Sequence, residues 1–281
     1  MQHDSPDTCA ERPLDGALSH DPGTGLSHDP GTGLSHDPAT ALSHDPGTGH
    51  PRPPRREFKA RGSFVARCPG CHLPELNCLC PYAVRAESEA RVWLLTHPME
   101  HHKPTNTGRL IRDVLPETEV FTWYRTAPDE RLLALLDDPR YAPFVIFPDD
   151  QPDYAERVVG IDAVEAKAAG RTPVYVLLDG TWRQARRIFR KSPYLDRLPV
   201  LPLHSERLTR YRLRKPASAA HLCTAEVAAE LLRQGGDDSA AQALDDYFDA
   251  FNESYAASRR FEKIEVPTAA MRRLLARTGE G

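Results

Sequence analysis

From Arg91 onward the chain alternates apolar runs of strand length with stretches of helical period, and this alternation restricts the fold more than any other feature. The strand-length runs fall at residues 91–96, 120–124, 144–147, 174–178 and 200–203. Helical stretches lie at 108–115, 129–137 and 161–169, and three more follow at 182–191, 225–233 and 239–258. Such a pattern predicts an α/β domain with a largely parallel sheet and flanking helices, here assigned to residues 91–281. The last two helices are the clearest, because Ala, Leu and Glu dominate them and Gly235-Gly236 stops the first.

Residues 1–57 obey a different rule. They hold four basic and nine acidic groups and almost no large apolar side chains, so they offer nothing to a core. An eight-residue unit, Ser-His-Asp-Pro-Gly-Thr-Gly-Leu, starts at Ser19 and Ser27, degenerates at Ser35, where Ala39 and Ala41 replace Gly, and recurs at Ser43. That period is too short for a solenoid repeat, and the composition predicts a disordered tail and linker. Its histidines His20, His28, His36 and His44 leave a metal-binding alternative open. The remaining residues carry 32 basic and 31 acidic groups, so the net charge of −4 belongs to the tail and says nothing about partners. No apolar run approaches the roughly 18 residues of a membrane span, and the first residues lack the pattern of a signal peptide. The expectation is a cytoplasmic protein with no membrane association and no evident obligate protein partner.

Between tail and domain, residues 58–90 contain Cys68-Pro-Gly-Cys71 and Cys78-Leu-Cys80. A CxxC knuckle turning on Pro-Gly brings two thiolates to one tetrahedral ion, and the CxC pair supplies two more if Leu79 points away. Four cysteine ligands close the shell, which predicts a structural zinc and not a catalytic one. The alternative is four free buried thiols, since disulfides are disfavoured in a reducing compartment. Cys9 and Cys223 stand apart.

The densest chemistry lies around Asp179. An apolar strand ending at Leu178 puts this carboxylate at the carboxyl end of a sheet, where open α/β folds hold their ligands. Gly180 permits a tight turn, and Thr181 with Gln184 forms a capping box that starts the next helix at once. Asp179 there either serves a ligand or satisfies turn amides. The helix places Arg183, Arg186, Arg187 and Arg190 on one face, with Trp182, Ala185 and Phe189 on the other. Residues 183–216 hold eleven basic and two acidic groups, a net of +9 and the footprint of a polyanion site such as nucleic acid. Trp182, Tyr194 and Tyr211 are placed either to stack on bases or to fill the core.

The cysteine cluster, His97-Pro-Met-Glu-His-His-Lys-Pro-Thr-Asn-Thr-Gly108, Asp179-Gly-Thr-Trp182, Tyr211-Arg-Leu-Arg-Lys-Pro216 and Leu222-Cys-Thr-Ala-Glu226 occur in an order that resembles the DTW-domain family of tRNA-uridine aminocarboxypropyltransferases. The resemblance runs over about residues 67–232 and excludes the tail. It implies a SPOUT-like α/β fold that binds S-adenosyl-L-methionine and transfers its 3-amino-3-carboxypropyl arm to N3 of a uridine in tRNA, releasing methylthioadenosine. Asp179 is then the general base or orienting acceptor for the imide nitrogen, with Thr181 and Trp182 beside it as catalytic candidates.

Carried over by motif, the S-adenosylmethionine contacts fall on His97, Pro98, Asn106, Thr107, Pro148, Leu178, Thr224 and Glu226. Arg214, Lys215 or a helix N-terminus is a candidate partner for the methionine carboxylate. Arg183, Arg186, Arg187, Arg190, Lys191, Arg210, Tyr211 and Arg212 are assigned to tRNA. Cys223 and Val227 depart from the small residues the family often has beside Thr224 and Glu226, and residues 148–152 fit its pattern loosely. Two other functions remain compatible: a SAM-dependent RNA methyltransferase of SPOUT type, because fold does not fix chemistry, and a non-catalytic zinc-containing RNA-binding protein.

Overall fold

Along β1 (Arg91–Thr96) side chains alternate between two cores: Val92 and Leu94 enter one, Trp93 and Leu95 the other. A strand buried on both faces belongs in the middle of a parallel sheet, and β1 sits there. The structure is a computed structural model that describes residues 65–214 and 221–279. The repeat tail, with the disorder and histidine readings made on it, and Lys215 lie outside the described residues.

Five parallel strands, β1, β2 (Glu119–Thr122), β3 (Tyr141–Ile146), β4 (Thr172–Asp179) and β5 (Val200–Leu201), are ordered β2-β1-β4-β3-β5. The register sets Thr96 beside Asp179 at the carboxyl edge. Helices cover both faces. On one, α2 (Gly108–Val114), α6 (Thr224–Gln234), α7 (Asp238–Arg259) and α8 (Ala269–Thr278) close a core with Val92, Phe144, Tyr175 and Leu177. On the other, α3 (Glu130–Asp137) and α5 (Trp182–Arg190) pack Leu132, Ile188 and Phe189 against Trp93, Val145 and Val176. Two short helices, α1 (Pro98–His101) and α4 (Val164–Ala168), complete the set among the described residues. None of these is long and apolar enough to cross a membrane.

Some boundaries differ from those expected. β3 begins at Tyr141, three positions before the apolar run, because Tyr141, Ala142 and Pro143 still pair in register with β4 and Pro143 does not end the strand. The stretch at 161–169 splits into a 3₁₀ turn, Ile161–Ala163, and α4, which stops where Ala169 (φ 52°) and Gly170 (φ 78°) turn left-handed. Helix α8 was not expected from the sequence, although Thr268 caps it by accepting from Met271 N.

The four-cysteine segment shares the larger core: Cys68, Cys71, Leu73, Leu79 and Val84 are buried with α2, α6, α7 and α8. Asn77 staples it to the end of α7, donating to Ser258 Oγ (2.9 Å) and Glu262 O (2.8 Å) and accepting from Ile264 N (2.8 Å). The segment is therefore built onto the α/β unit and has no separate core.

Candidate active site

A cavity of about 650 Å³ opens at the carboxyl ends of β3 and β4. Ile146, Phe147 and Pro148 supply one wall and Leu177, Leu178 and Asp179 the floor. The N-termini of α5 and α6 close two sides, and the irregular strap between β5 and α6 covers the rest with Leu203, Thr209, Tyr211 and Arg214. A smaller cavity of about 410 Å³ lies at the opposite edge of the sheet, around Ala86, Arg91 and Thr118, away from these groups. The larger one has the size expected of a small-molecule site, and its surface is mainly apolar, with polar side chains spread between the loop before α2, the strap and the starts of α5 and α6.

Asp179 sits on its floor, 2% exposed. The apolar residues before it bury β4, and Thr181 starts α5 immediately after the turn: Thr181 N donates to Gln184 Oε1 (2.7 Å) and Gln184 N to Thr181 Oγ1 (3.4 Å). The carboxylate accepts from Asn106 Nδ2 at Oδ2 (2.8 Å) and from Thr224 Oγ1 at Oδ1 (2.7 Å). One side chain thus ties the loop before α2 and the start of α6 to the sheet. Burial raises the Asp179 pKa above the ordinary carboxylate value and outweighs these two bonds, which favour the charged form. Each oxygen keeps a lone pair free of these partners, so the group can still accept a proton.

Gly108 makes that approach possible. A Cβ on it would lie 2.8 Å from the Cγ and Oδ2 of Asp179. Gly108→Ala is expected to destabilise the protein by about 1–3 kcal/mol through overpacking and to displace Asp179, seen as a lower urea midpoint together with lost activity. Unchanged values of both would show that α2 yields freely at this point.

Asn106, Thr107, Pro148, Leu178, Asp179, Thr181, Trp182 and Thr224 all line the cavity, as does Arg214. Trp182 is 40% exposed and stacks on Phe147 (5.5 Å, 15°) and His221 (6.0 Å, 21°), while Phe147 stacks on Phe189 (4.0 Å). His97 and Pro98 stand behind the wall. Pro98 opens α1, and His97 Nδ1 caps it, within 3.3 Å of Met99 N and 3.1 Å of Gln184 Nε2. Glu226 is also spent on structure, accepting from Thr209 Oγ1 and Arg210 N (2.6 Å each) and from Cys223 N (2.9 Å), so it holds the strap in place. Sequence reasoning missed Thr105, Phe147, Leu203, Thr209 and His221 as lining residues. Phe147 and Leu203 had a local signal, since each ends an apolar run that leads into the cavity, and Thr105 stands inside the 97–108 motif; Thr209 and His221 had none.

The basic residues divide into two groups. On α5, Arg183, Arg187 and Arg190 are exposed, as is Lys191 beyond it, with Arg186 half-buried and Ala185, Ile188 and Phe189 turned inward. Arg212 is exposed on the strap. Arg210, by contrast, pairs with Asp245 (2.6 Å) and Asp249 (2.5 Å), and Arg207 with Asp245 (3.0 Å) and Glu230 (3.2 Å). Arg214 pairs with the wholly buried Glu100 (2.8 Å) and donates to Thr105 Oγ1 (2.9 Å). Tyr211 is largely buried beside Phe248, donates its hydroxyl to Thr105 O and lines the cavity, so it belongs to the pocket wall and not to the exposed basic surface. The net of +9 over residues 183–216 therefore overstates the cationic surface, which among the described residues narrows to α5, Lys191, Arg197 and Arg212.

The four sulfurs of Cys68, Cys71, Cys78 and Cys80 lie within 4.8 Å of one another. Cys68 and Cys80 are 3.5 Å apart and Cys71 and Cys78 3.7 Å apart, against the ~3.8 Å edge of a zinc tetrathiolate with ~2.3 Å bonds. Leu79 N points at Cys71 Sγ (3.4 Å), an amide of the kind that supports a ligating thiolate. Burial, then the neighbouring sulfurs, push the Cys80 thiol up to about 12, a penalty that a bound dication would offset. The donor set thus fits a metal ion. His72, at φ 55°, stays outside it.

A family model described as the DTW domain matches residues 65–256. The chain is 28% identical over 176 residues to tRNA-uridine aminocarboxypropyltransferase 2 of Drosophila melanogaster, a match covering 59% of this chain and 65% of that protein. It is also 28% identical over 176 residues to the mouse (Mus musculus) protein of the same name, covering 59% of this chain and 55% of that one. The chain thus spans less than two thirds of the length of these relatives, and no solved structure matches it. Because the family match takes in the cysteine cluster, the Asp179 turn and the strap together, the chain belongs to the DTW domain family.

Proposed function

We propose that the protein transfers the 3-amino-3-carboxypropyl group of S-adenosylmethionine to N3 of a uridine in tRNA. The observation that carries this reading is Asp179: a buried carboxylate of raised pKa on the floor of a cavity at the sheet's carboxyl edge. A uridine imide is a poor nucleophile until it loses its N3 proton, and a fixed carboxylate whose affinity for protons is raised suits the removal or orientation of that proton. Names of the relatives in fly and mouse point to the same substrate and group.

The lining fits the donor. Ile146, Leu177, Leu203 and Val227 form an apolar slot for a purine, Thr105, Asn106 and Ser205 offer ribose partners, and Arg214, one of two described arginines lining the cavity with Arg183, faces it from the strap as a partner for a carboxylate. When bound, S-adenosylmethionine supplies a propyl carbon activated by its sulfonium, so that transfer forms one C–N bond, breaks one C–S bond and leaves neutral methylthioadenosine. The protein's share is then alignment by the strap and α6, with the N3 proton passing to Asp179 or, through it, to solvent. The parallel sheet agrees with the SPOUT-like expectation, and the four cysteines hold a structural zinc. Incubation with S-adenosylmethionine and tRNA is expected to release methylthioadenosine; adenosylhomocysteine alone would replace this reading by methyl transfer.

The exposed face of α5 is the tRNA-binding surface in this reading. If four to six of its cations and their neighbours contact phosphates, tRNA affinity falls by about 0.7–0.9 log units per contact for each tenfold rise in salt. Arg187→Ala with Arg190→Ala should reduce that slope by about two contacts, as measured by filter binding across a salt series. A flat salt dependence in the unaltered protein would remove α5 from the interface.

A further inference from the structure

Arg109 follows Gly108 at the start of α2, and its side chain runs back to the four-cysteine segment. Nη1 donates to the carbonyl of Cys71, and the guanidinium lies over the Phe251 ring, 5.3 Å from its centroid. Among the described residues Nε and Nη2 are buried without a hydrogen-bond partner. A half-buried arginine whose inaccessible donors go unmet is costly, so packing on Phe251 alone is a poor reason to place it there. The carbonyl it holds belongs to Cys71, one of the four cysteines, and a tetrathiolate centre around a divalent ion would carry net negative charge that favours a cation at this edge.

The backbone of the same residue points the other way. Arg109 N donates to Asn106 Oδ1 (3.1 Å), and Asn106 Nδ2 donates to Asp179 Oδ2 (2.8 Å). The first bond fixes the amide orientation of the second: with Oδ1 held by Arg109 N, the NH₂ group must face the carboxylate. Were α2 to shift, Asn106 would be free to turn and present its oxygen to Asp179, which is repulsive. One residue therefore reaches the cysteine centre with its side chain and the floor of the cavity with its main chain.

We propose that Arg109 is a positioning residue that couples the closed four-cysteine centre to the orientation of Asn106 and hence to the placement of Asp179. Its effect on turnover rests on Asp179 acting in the proposed transfer, whereas its effect on Asn106 does not. A metal-closed knuckle fixes the Cys71 carbonyl, the guanidinium bridges that carbonyl to α2, and the start of α2 sets the amide. The metal centre then acts on the site through position alone.

The test uses the full-length, zinc-loaded protein and the side-chain amide resonances of Asn106, assigned by their loss in Asn106→Ser. In Arg109→Gln with zinc stoichiometry unchanged, these resonances are expected to move. Activity should drop about 10–100-fold, the range seen when outer-shell partners of metal sites are removed, and the loss should fall on kcat and not on KM for tRNA. Zinc removal from the unaltered protein should move the same resonances in the same direction. If Arg109→Gln fails to fold, Arg109→Lys, which keeps the stem over Phe251 and one donor, is expected to shift them by a smaller amount. Asn106 resonances unmoved in a folded, loaded variant would overturn the coupling and leave Arg109 as a packing residue. Because this readout needs no tRNA, a failed transferase assay would not be mistaken for it.

Discussion

Asp179→Asn is expected to lower kcat by about 10²–10⁴-fold while leaving the protein folded and no less stable at neutral pH. The fold survives because an amide fits the same partners: its oxygen accepts from Asn106 Nδ2, and its NH₂ donates to Thr224 Oγ1 once that hydroxyl turns. The stability follows from the direction of the Asp179 shift. A carboxyl raised by burial holds its proton more tightly in the folded state than in the unfolded one, where it titrates near 3.9. Stability is therefore lost as pH rises from about 4 through the raised folded value, and the full penalty is present above it. The asparagine variant lacks this slope. Urea midpoints between pH 4 and 8 should show the variant gaining on the unaltered protein as pH rises. A variant that remains active would reduce Asp179 to a structural tie between α2, α6 and the sheet.

Loss of the metal is the second large effect. Purified protein is expected to carry one zinc per chain, and chelation or Cys71→Ser should lower Tm by roughly 10 °C, from a loss of about 3–5 kcal/mol in a domain where each costs 2–4 °C. The size follows from what the centre holds in place. Leu73 and Leu79 are fully buried in the core that the cysteine segment shares with α2, α6, α7 and α8, and Asn77 makes its three hydrogen bonds only while the segment is closed. Substitution of Cys223, which lines the larger cavity, should leave the metal content unchanged. Protein with four free thiols and a Tm indifferent to chelators would contradict the zinc assignment.

How much of this was legible in the sequence depended on whether the signal was local. Strands β1 and β4 and helices α5, α6 and α7 were readable because each is a continuous run of one pattern, and α5 carries its own capping box at Thr181 and Gln184. The start of β3 was hidden by Pro143, and α8 by a short, weakly patterned stretch after Thr268. The four cysteines needed only their spacing. The strap was the hardest part. Arg207, Arg210 and Arg214 look like a nucleic-acid face until Asp245, Asp249 and Glu100 are seen across from them, and nothing near them in the chain announces those partners. Asn106, Thr224 and Asp179 stood out as separate motif residues, but only the parallel register and the glycine at 108 bring them into one hydrogen-bonded group.

The most direct test of the central claim is nucleoside mass spectrometry of unmodified tRNA incubated with the purified protein and S-adenosylmethionine. A uridine heavier by one aminocarboxypropyl group, formed by the unaltered protein and absent with Asp179→Asn, is the predicted result. A uridine heavier only by a methyl group, or tRNA that is bound and released unchanged, would contradict it.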